Sequence, residues 1–236
     1  MRNTLAIARR QFASYFNSPL AYIVGTVVLL FVGFFFWQTF FLQGRVTVRD
    51  LFSHLLTILI FTAPALTMGL LAEEKRTGTI EILLTMPVRD MDVIVGKFLG
   101  VLGLFTVIVA LTIPYPICVA SLGALDWGPV ITGYLGIFLT GAAMLAVGLL
   151  ASSWSTHELV ALFVGWLVLG LNLVLGWALP LLPTGITSAV QWITFDYHLS
   201  AMARGVIDLR DVVFLGSVIV FSLAFAFRSL ESRRWW

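Results

Sequence analysis

Charge is scarce in this chain of 236 residues: 11% are Asp, Glu, Lys or Arg, while 60% are hydrophobic. Soluble domains contain about 25% charged and about 45–50% apolar residues, so the composition argues against a water-soluble enzyme. Disordered and coiled-coil chains are rich in charge and are disfavoured for the same reason. The 20 Gly, 8 Trp and 19 Phe are instead typical of a helical membrane protein.

Cysteine is nearly absent as well. Cys118 is the single cysteine, which excludes an internal disulfide and leaves no cysteine cluster for a metal. His198 has Asp196 nearby, but a metal site needs three or four ligands. The sequence therefore predicts no metal site.

Six runs are long and apolar enough for membrane helices, which need about 20 mostly apolar residues. They cover residues 20–43, 51–72, 93–122, 128–151, 156–179 and 212–227. These runs are continuous, whereas a membrane β-barrel would show alternating apolar and polar residues. Pro114 and Pro116 predict a kink or break in the third run. Ser155 and Glu158 have capping-box spacing, which predicts how the fifth helix begins.

The N-terminal segment, residues 1–18, has the pattern of an amphipathic helix. On a helical projection one face collects Leu5, Ala8, Phe12, Tyr15 and Phe16. Arg2, Arg9 and Arg10 lie outside this face. We expect a helix in the membrane interface that ends near Ser18 and Pro19. A simple membrane anchor is the alternative function of such a helix.

Basic residues predict the orientation, because Lys and Arg are enriched in cytoplasmic loops. With the N-terminus inside, the inner set holds Arg2, Arg9, Arg10, Lys75, Arg76, Arg89, Lys97, Arg228, Arg233 and Arg234. The outer set holds Arg45, Arg49, Arg204 and Arg210. Both termini are therefore predicted to be cytoplasmic. Lys97 lies near the start of the third run, where we expect its side chain to snorkel to the inner interface.

An energy source for transport is missing from the chain. The six runs carry almost no ionisable residues, which disfavours ion coupling. Residues 91–98 are a near-match to a phosphate-binding loop, but the first Gly and the Ser or Thr after Lys97 are absent. If transport is active, another polypeptide supplies the ATPase.

Catalytic motifs are incomplete too. His157 and Glu158 begin like a zinc-protease helix, but Ala161 replaces the second His, and no Gly-x-Ser-x-Gly motif is present. A polytopic membrane enzyme is thus disfavoured, and a passive channel or scaffold remains an alternative.

Three residues inside the runs are candidates for helix packing. Gly96 and Gly100 have the spacing that lets membrane helices approach closely, either within the chain or in a dimer. Asn172 is the most polar residue deep in the fifth run. It is predicted to make an interhelical hydrogen bond, and binding a substrate is the alternative.

The turn at residues 73–92 is the most informative segment. Thr79 can cap a short helix that Pro87 ends, while Ile80, Leu83 and Leu84 share one face of it. Such a charged helix with an apolar face could dock into a groove of a partner protein. An ordinary interfacial turn is the alternative.

This turn carries a family resemblance. The run Glu73-Glu74-Lys75-Arg76-Thr77-Gly78-Thr79-Ile80-Glu81-Ile82-Leu83-Leu84, with Pro87 and Gly96-Lys97 after it, resembles the signature of ABC-2 type exporter permeases. The stretch Phe195-Asp196-Tyr197-His198, with Arg204 to Asp208 and Arg210 to Val212 after it, is similar to the gliding-motility-associated subgroup. The ending from Leu230 to Trp235 is similar as well.

The resemblance implies an all-α fold. Residues 1–236 would form one ABC-2 transmembrane domain with six helices. Residues 1–18 would be an interfacial connecting helix, residues 73–92 a cytoplasmic coupling turn, and residues 181–211 an outer-face re-entrant segment. The protein would be a multi-pass component of a bacterial inner membrane.

The resemblance also implies function. The chain would be a non-catalytic permease half, coupled to separate cytoplasmic ATPase subunits that bind ATP and Mg. A second permease half, as a homo- or heterodimer, and a third component with a large outer domain are further expected partners. Contact with the ATPase would fall to Glu73, Glu74, Lys75, Arg76, Thr77, Gly78, Thr79, Ile80, Glu81, Leu83 and Leu84. Asp196, Tyr197, His198, Arg204 and Asp208 would contact an outer-face partner or hold the outer helices together. A complex that transmits force without moving cargo is the alternative use.

Overall fold

The computed structural model describes residues 2–44, 47–79, 89–181 and 183–231. Its helices are α1 (Arg2–Asn17), α2 (Pro19–Gln43), α3 (Arg49–Thr67), α4 (Gly69–Arg76), α5 (Asp90–Ala110), α6 (Pro114–Leu122), α7 (Trp127–Trp154), α8 (Glu158–Ala178), a 3-10 turn (Leu179–Leu181), α9 (Thr184–Gln191), α10 (Phe195–Met202) and α11 (Leu209–Glu231).

Six of the segments in the described ranges are long and apolar enough to cross a membrane, which confirms the six predicted runs and the all-α class. They are Pro19–Leu42, Arg49–Arg76, Asp90–Leu122, Trp127–Trp154, Glu158–Leu181 and Leu209–Glu231. The second, third and fourth spans are mostly buried and supply the core. The first, fifth and sixth leave most of their side chains uncovered by the chain itself.

Glycines in α7 place that helix at the centre of the core. A Cβ at Gly133 would lie 2.1 Å from the ring of Phe52, and one at Gly141 would lie 2.2 Å from the ring of Phe105. Both rings are fully buried. The missing Cβ atoms therefore let α3 and α5 insert their largest side chains against α7, as close packing of a core requires.

The predicted break in the third span is confirmed. Helix α5 ends at Ala110 and α6 begins at Pro114, because proline has no N–H to continue the helical hydrogen bonds. The Thr112 hydroxyl donates to the backbone oxygen of Val109 at 2.7 Å and lies 3.1 Å from the Tyr134 hydroxyl. A polar side chain thus occupies the break inside the bundle.

The N-terminal helix is present over the expected residues, and Ala8, Phe12, Tyr15 and Phe16 of its predicted face pack inward, whereas Leu5 does not. Helix α1 packs along α5, and Tyr15 is buried whereas Leu5 is 72% exposed. Contacts to α5 come from the stripe of Thr4, Ile7, Ala8, Gln11 and Phe12. Leu5 is therefore not part of the packed face. Helix α1 meets α5 through Ala8 and Phe12 of the predicted face together with Thr4, Ile7 and Gln11, which the apolar pattern does not select.

The predicted capping box at the start of the fifth span is wrong. Helix α8 has His157 as its N-cap residue, and no side chain accepts a hydrogen bond there. The carboxylate of Glu158 instead lies 3.3 Å from the Arg76 guanidinium. An ion pair with α4 has replaced the local bond that the spacing predicts.

Candidate functional site

The last turn of α4 carries the first part of the predicted coupling turn, and we call this end of the bundle the α4 end. Of the predicted contact residues, Glu73, Glu74, Lys75, Arg76, Thr77, Gly78 and Thr79 are described, whereas Ile80, Glu81, Leu83 and Leu84 lie outside the described residues. The Thr77 N–H donates to Glu73 O at 2.9 Å and closes the helix. Gly78 follows with φ +70°, a conformation that residues with a Cβ resist.

Lys97 of α5 is a buried cation directly behind this turn. Its side chain is 5% exposed, its Nζ lies 2.8 Å from Glu74 Oε1, and it also donates to Leu70 O. A buried ammonium group needs such partners. The prediction that Lys97 snorkels is wrong, because α1 packs against Gly96 and Gly100 on either side of it.

Two further contacts join α4 to the neighbouring spans. The Arg76 guanidinium pairs with Glu158 at the start of α8, and the Lys75 ammonium donates to the backbone oxygen of Ser153 near the end of α7. Together with Lys97 and Glu74, these contacts connect α4 to α5, α7 and α8. The charged end of α4 is thus attached to the membrane spans by side chains of both signs.

Sequence reasoning missed Ser152 altogether and selected Tyr15 only for its apolar face. Both side chains bond to the backbone near α4. Ser152 Oγ accepts from the N–H groups of Leu71 and Ala72, each at 3.1 Å, and donates to Met68 O at 2.8 Å. Tyr15 Oη donates to Leu66 O at 2.7 Å. Burial raises the pKa of Tyr15, so its hydroxyl stays protonated and able to donate. The sequence signal that could have identified Ser152 is the pair Ser152-Ser153 at the end of an apolar run.

A cavity of about 430 Å³ lies between α1 and α4. Its wall is formed by Gln11, Ser14, Tyr15, Ser18, Leu20, Ala65, Leu66, Met68, Gly69, Leu70, Glu73, Glu74, Lys97 and Glu158. Helix α4 packs against α7 and α8 on its other side. The α4 end is therefore supported on one side and open on the other.

Gly96 and Gly100 form part of the seat for α1. A Cβ at Gly96 would lie 2.8 Å from Ile7 Cβ, and one at Gly100 would lie 2.6 Å from Gln11 Cβ. Gly103 extends the same face towards Phe12. These glycines thus serve a contact within the chain.

The opposite end of the bundle, which we call the α10 end, is held by Asn172. Its Nδ2 donates to Ile193 O at 2.7 Å, and its Oδ1 accepts from Phe195 N at 3.1 Å. Asn172 stands nine residues before Leu181, where the fifth span ends. At 1.5 Å per residue, the start of α10 lies about 13 Å below that end of the span.

His198 of α10 and Asp211 of α11 form a buried pair. His198 is 0% exposed, and its Nδ1 lies 2.7 Å from Asp211 Oδ1. Its Nε2 lies 3.0 Å from Trp192 O, and a carbonyl oxygen only accepts, so Nε2 carries a proton. The ring stacks on Phe214 at 4.1 Å. His198 therefore fixes α10 to α11, and Asp211, which the sequence analysis did not select, is its partner.

The other predicted residues of this end lie nearer the surface. Asp208 Oδ1 accepts from Arg210 N at 2.9 Å and so caps α11, while Tyr197 is 40% exposed beside Trp192. Asp196 borders two cavities, of about 150 and 240 Å³, and Arg204 lines the larger. Partial burial raises the pKa of Asp196. The structure thus brings His198 into the interior and leaves Asp196, Tyr197 and Arg204 accessible.

The part of the chain that the structure describes has no group of three or more His, Cys, Asp or Glu side chains placed to hold a metal ion. Acidic and histidine side chains instead pair with bases or with the backbone, as at Glu74, Glu158 and His198.

Residues 45–226 match the model of the ABC-2 family transporter protein. The chain belongs to the ABC-2 transporter family. No curated protein matches it at a significant level. The matched range begins just before α3 and ends within α11, so it includes the α4 end and the α10 end of this ABC-2 transporter protein.

The family makes this ABC-2 transporter protein a multi-pass membrane component, of a kind that is generally non-catalytic and works with an ABC ATPase. Helices α1 and α2 precede the matched range. The family match therefore does not describe α1, and its packing on α5 is seen in the structure.

Proposed function

We propose that this ABC-2 transporter protein is the permease half of an ATP-driven exporter. The observation that carries the proposal is the attachment of α4. Its charged last turn precedes the predicted coupling turn and is joined to the spans through Glu74 with Lys97 and Arg76 with Glu158. A push on the turn would therefore reach the spans directly.

In this proposal, ATP and Mg bind to a separate cytoplasmic ATPase, and closure of two ATPases moves two coupling turns. Ile80, Leu83 and Leu84 supply the apolar docking face, and the flanking charges set its register by complementarity. Gly78 permits the tight turn between α4 and the docking face. The permease halves then tilt and open a path between them.

The finer assignments are part of the same proposal. The gliding-motility-associated type rests on the likeness around residues 195–212, and the third component would meet Asp196, Tyr197 and Arg204 at the outer face. The bacterial inner membrane rests on the family resemblance, and the distribution of Lys and Arg supports the orientation with both termini inside. Since Lys97 is buried, nine inner basic residues then stand against four outer ones.

Residues 181–211 would re-enter the membrane, with Asn172 holding them at depth.

The first test is purification of the tagged chain from native membranes in mild detergent, with mass spectrometry of the proteins that accompany it. A stoichiometric ATPase is expected, and the double variant Leu83→Asp with Leu84→Asp should lose it. The matched control is Val206→Asp with Ile207→Asp, an exposed apolar pair in a loop at the other end. If no ATPase accompanies the wild-type chain even after crosslinking, a channel or scaffold replaces the exporter.

A further inference from the structure

The second span is interrupted directly before the coupling turn. Helix α3 contains Pro64 and ends at Thr67, and α4 begins at Gly69, with Met68 between them. Proline and inserted side chains are the usual causes of local breaks in a helix. We call residues 64–72 the α3–α4 joint.

Side chains from three other helices satisfy the backbone of this joint. Ser152 of α7 accepts from two N–H groups and donates to Met68 O, Tyr15 of α1 donates to Leu66 O, and Lys97 of α5 donates to Leu70 O. Ser152 thereby uses its single donor and both acceptor positions. Within the joint, the Met68 N–H still donates to Pro64 O at 2.8 Å, and side chains of three neighbouring helices bond to the backbone on either side of it.

Space around the joint is uneven. Gly148 of α7 lies against Thr67 and Gly165 of α8 lies against Pro64, and a Cβ at either glycine would come within 3 Å of its neighbour. On the α1 side, the cavity of about 430 Å³ is lined by Leu66, Met68, Gly69 and Leu70. The joint thus has a close-packed side to pivot on and an open side to move into.

We propose that the α3–α4 joint is the hinge that lets α4 and the coupling turn move against the spans, and that Ser152 is its positioning residue. The proposal rests on the proposed function for the source of the force. A hinge consists of a few residues that absorb a change in backbone angles. Here the residues of the joint lie between the coupling turn and the core. Loss of the Ser152 hydroxyl frees Leu71 N, Ala72 N and Met68 O to form other bonds, so α4 takes more than one position.

The test measures the position of α4 in the purified full chain, reconstituted without any partner. Spin labels at Thr79 and Arg9, both exposed, report the distance between the coupling turn and α1 in a Cys118→Ser background, since Cys118 is exposed and would also be labelled. A second label pair, Arg9 with Met91, reports whether α1 stays seated on α5.

Ser152→Ala should replace a single narrow Thr79–Arg9 distance with a broad or shifted distribution, and leave the Arg9–Met91 distance unchanged. The matched control is Ser153→Ala, because the equally buried Ser153 hydroxyl donates to Leu150 O within its own helix. Ser152→Thr, which retains the hydroxyl, should restore the narrow distance. Tyr15→Phe, a milder change at the same joint, should broaden it less.

An unchanged Thr79–Arg9 distribution in both Ser152→Ala and Tyr15→Phe would overturn the hinge. A second measurement adds the co-purified ATPase, whose binding Ser152→Ala should retain while cargo- or partner-dependent stimulation of ATP hydrolysis is lost. Retained stimulation would overturn the positioning role of Ser152. A broadened distance without any accompanying ATPase would support the hinge and contradict the proposed function, so the two can fail separately.

Discussion

At the α4 end, charged side chains of both signs join four spans, and Lys97, Ser152 and Tyr15 bond to backbone atoms where α3 meets α4. At the α10 end, one buried His–Asp pair and one Asn hold short helices against the spans. A cavity of about 430 Å³ lies beside the first arrangement. The α10 end borders smaller cavities, of about 150 and 240 Å³, and keeps His198 fully buried and stacked on Phe214.

The difference indicates where each end can move. The contacts of Ser152, Tyr15 and Lys97 meet at the α3–α4 joint, which borders the cavity of about 430 Å³. This arrangement permits several positions of α4. A buried pair whose ring is stacked and bonded through both nitrogens permits one arrangement of α10. We therefore expect the α4 end to rearrange during a transport cycle and the α10 end to move as part of its spans. Four substitutions test this comparison.

The largest effect is expected for Lys97→Met. Removing one partner of a buried ion pair costs about 3–5 kcal/mol, and we expect about 3 kcal/mol because the Glu74 side chain is 30% exposed. Thermal unfolding in detergent measures the loss. The double variant Lys97→Met with Glu74→Met should recover part of the stability, since no carboxylate is then left unpaired. Equal losses in both variants would show that the unpaired Glu74 carboxylate carries no penalty of its own.

Asp211→Leu tests the α10 end by the same measurement. His198 would lose a buried hydrogen bond, and we expect unfolding to become easier by about 2 kcal/mol. His198→Phe with Asp211→Leu retains the stacking on Phe214 and should be more stable than Asp211→Leu alone. A loss larger than that of Lys97→Met would reverse the comparison between the ends.

Asn172→Leu removes two hydrogen bonds to the segment before α10, at a cost of about 1–2 kcal/mol. Hydrogen exchange should become faster across residues 184–202 and stay unchanged in α4. Asn172→Asp retains the acceptor for Phe195 N and should have an intermediate effect. Faster exchange in α4 would contradict the independence of the two ends.

The smallest effect is expected for Arg76→Gln. Its pair with Glu158 is partly exposed, at 54% and 30%, and such pairs contribute about 0–1 kcal/mol. The stability difference from wild type should shrink further at high salt, because ions screen exposed charges. A difference that does not respond to salt would mean that Arg76 acts through packing.

Local sequence signals predicted the elements well. The six apolar runs, the break before Pro114 and the helix at the N-terminus all follow from hydropathy and from what proline cannot do. These features depend on a residue and its neighbours in the chain. They need no knowledge of which helix packs against which.

The candidate site depends on which helix packs against which. Sequence signals therefore predicted its residues less well than they predicted the helices. Lys97 near a span end can snorkel or be buried, and only the position of α1 decides between them. Ser152 in a helix can bond to its own backbone, as Ser153 does, or to another helix. Asp211 pairs with His198, which lies on a different helix, and the spacing along the chain does not reveal this pairing.

The seat of α1 has a consequence for how the chain is made. Thr4 Oγ1 donates to Asp92 Oδ1 at 2.7 Å, and the glycines that receive α1 lie between residues 96 and 103. During synthesis α1 therefore lacks its glycine seat on α5 until the third span has been made, whereas α2 and Leu66 of the second span are made earlier. Until then the apolar side of α1 can be covered by the membrane surface, which suits an amphipathic helix. Seating of α1 on α5 is thus a late step of biogenesis, and a chain truncated after the second span should leave α1 without that seat.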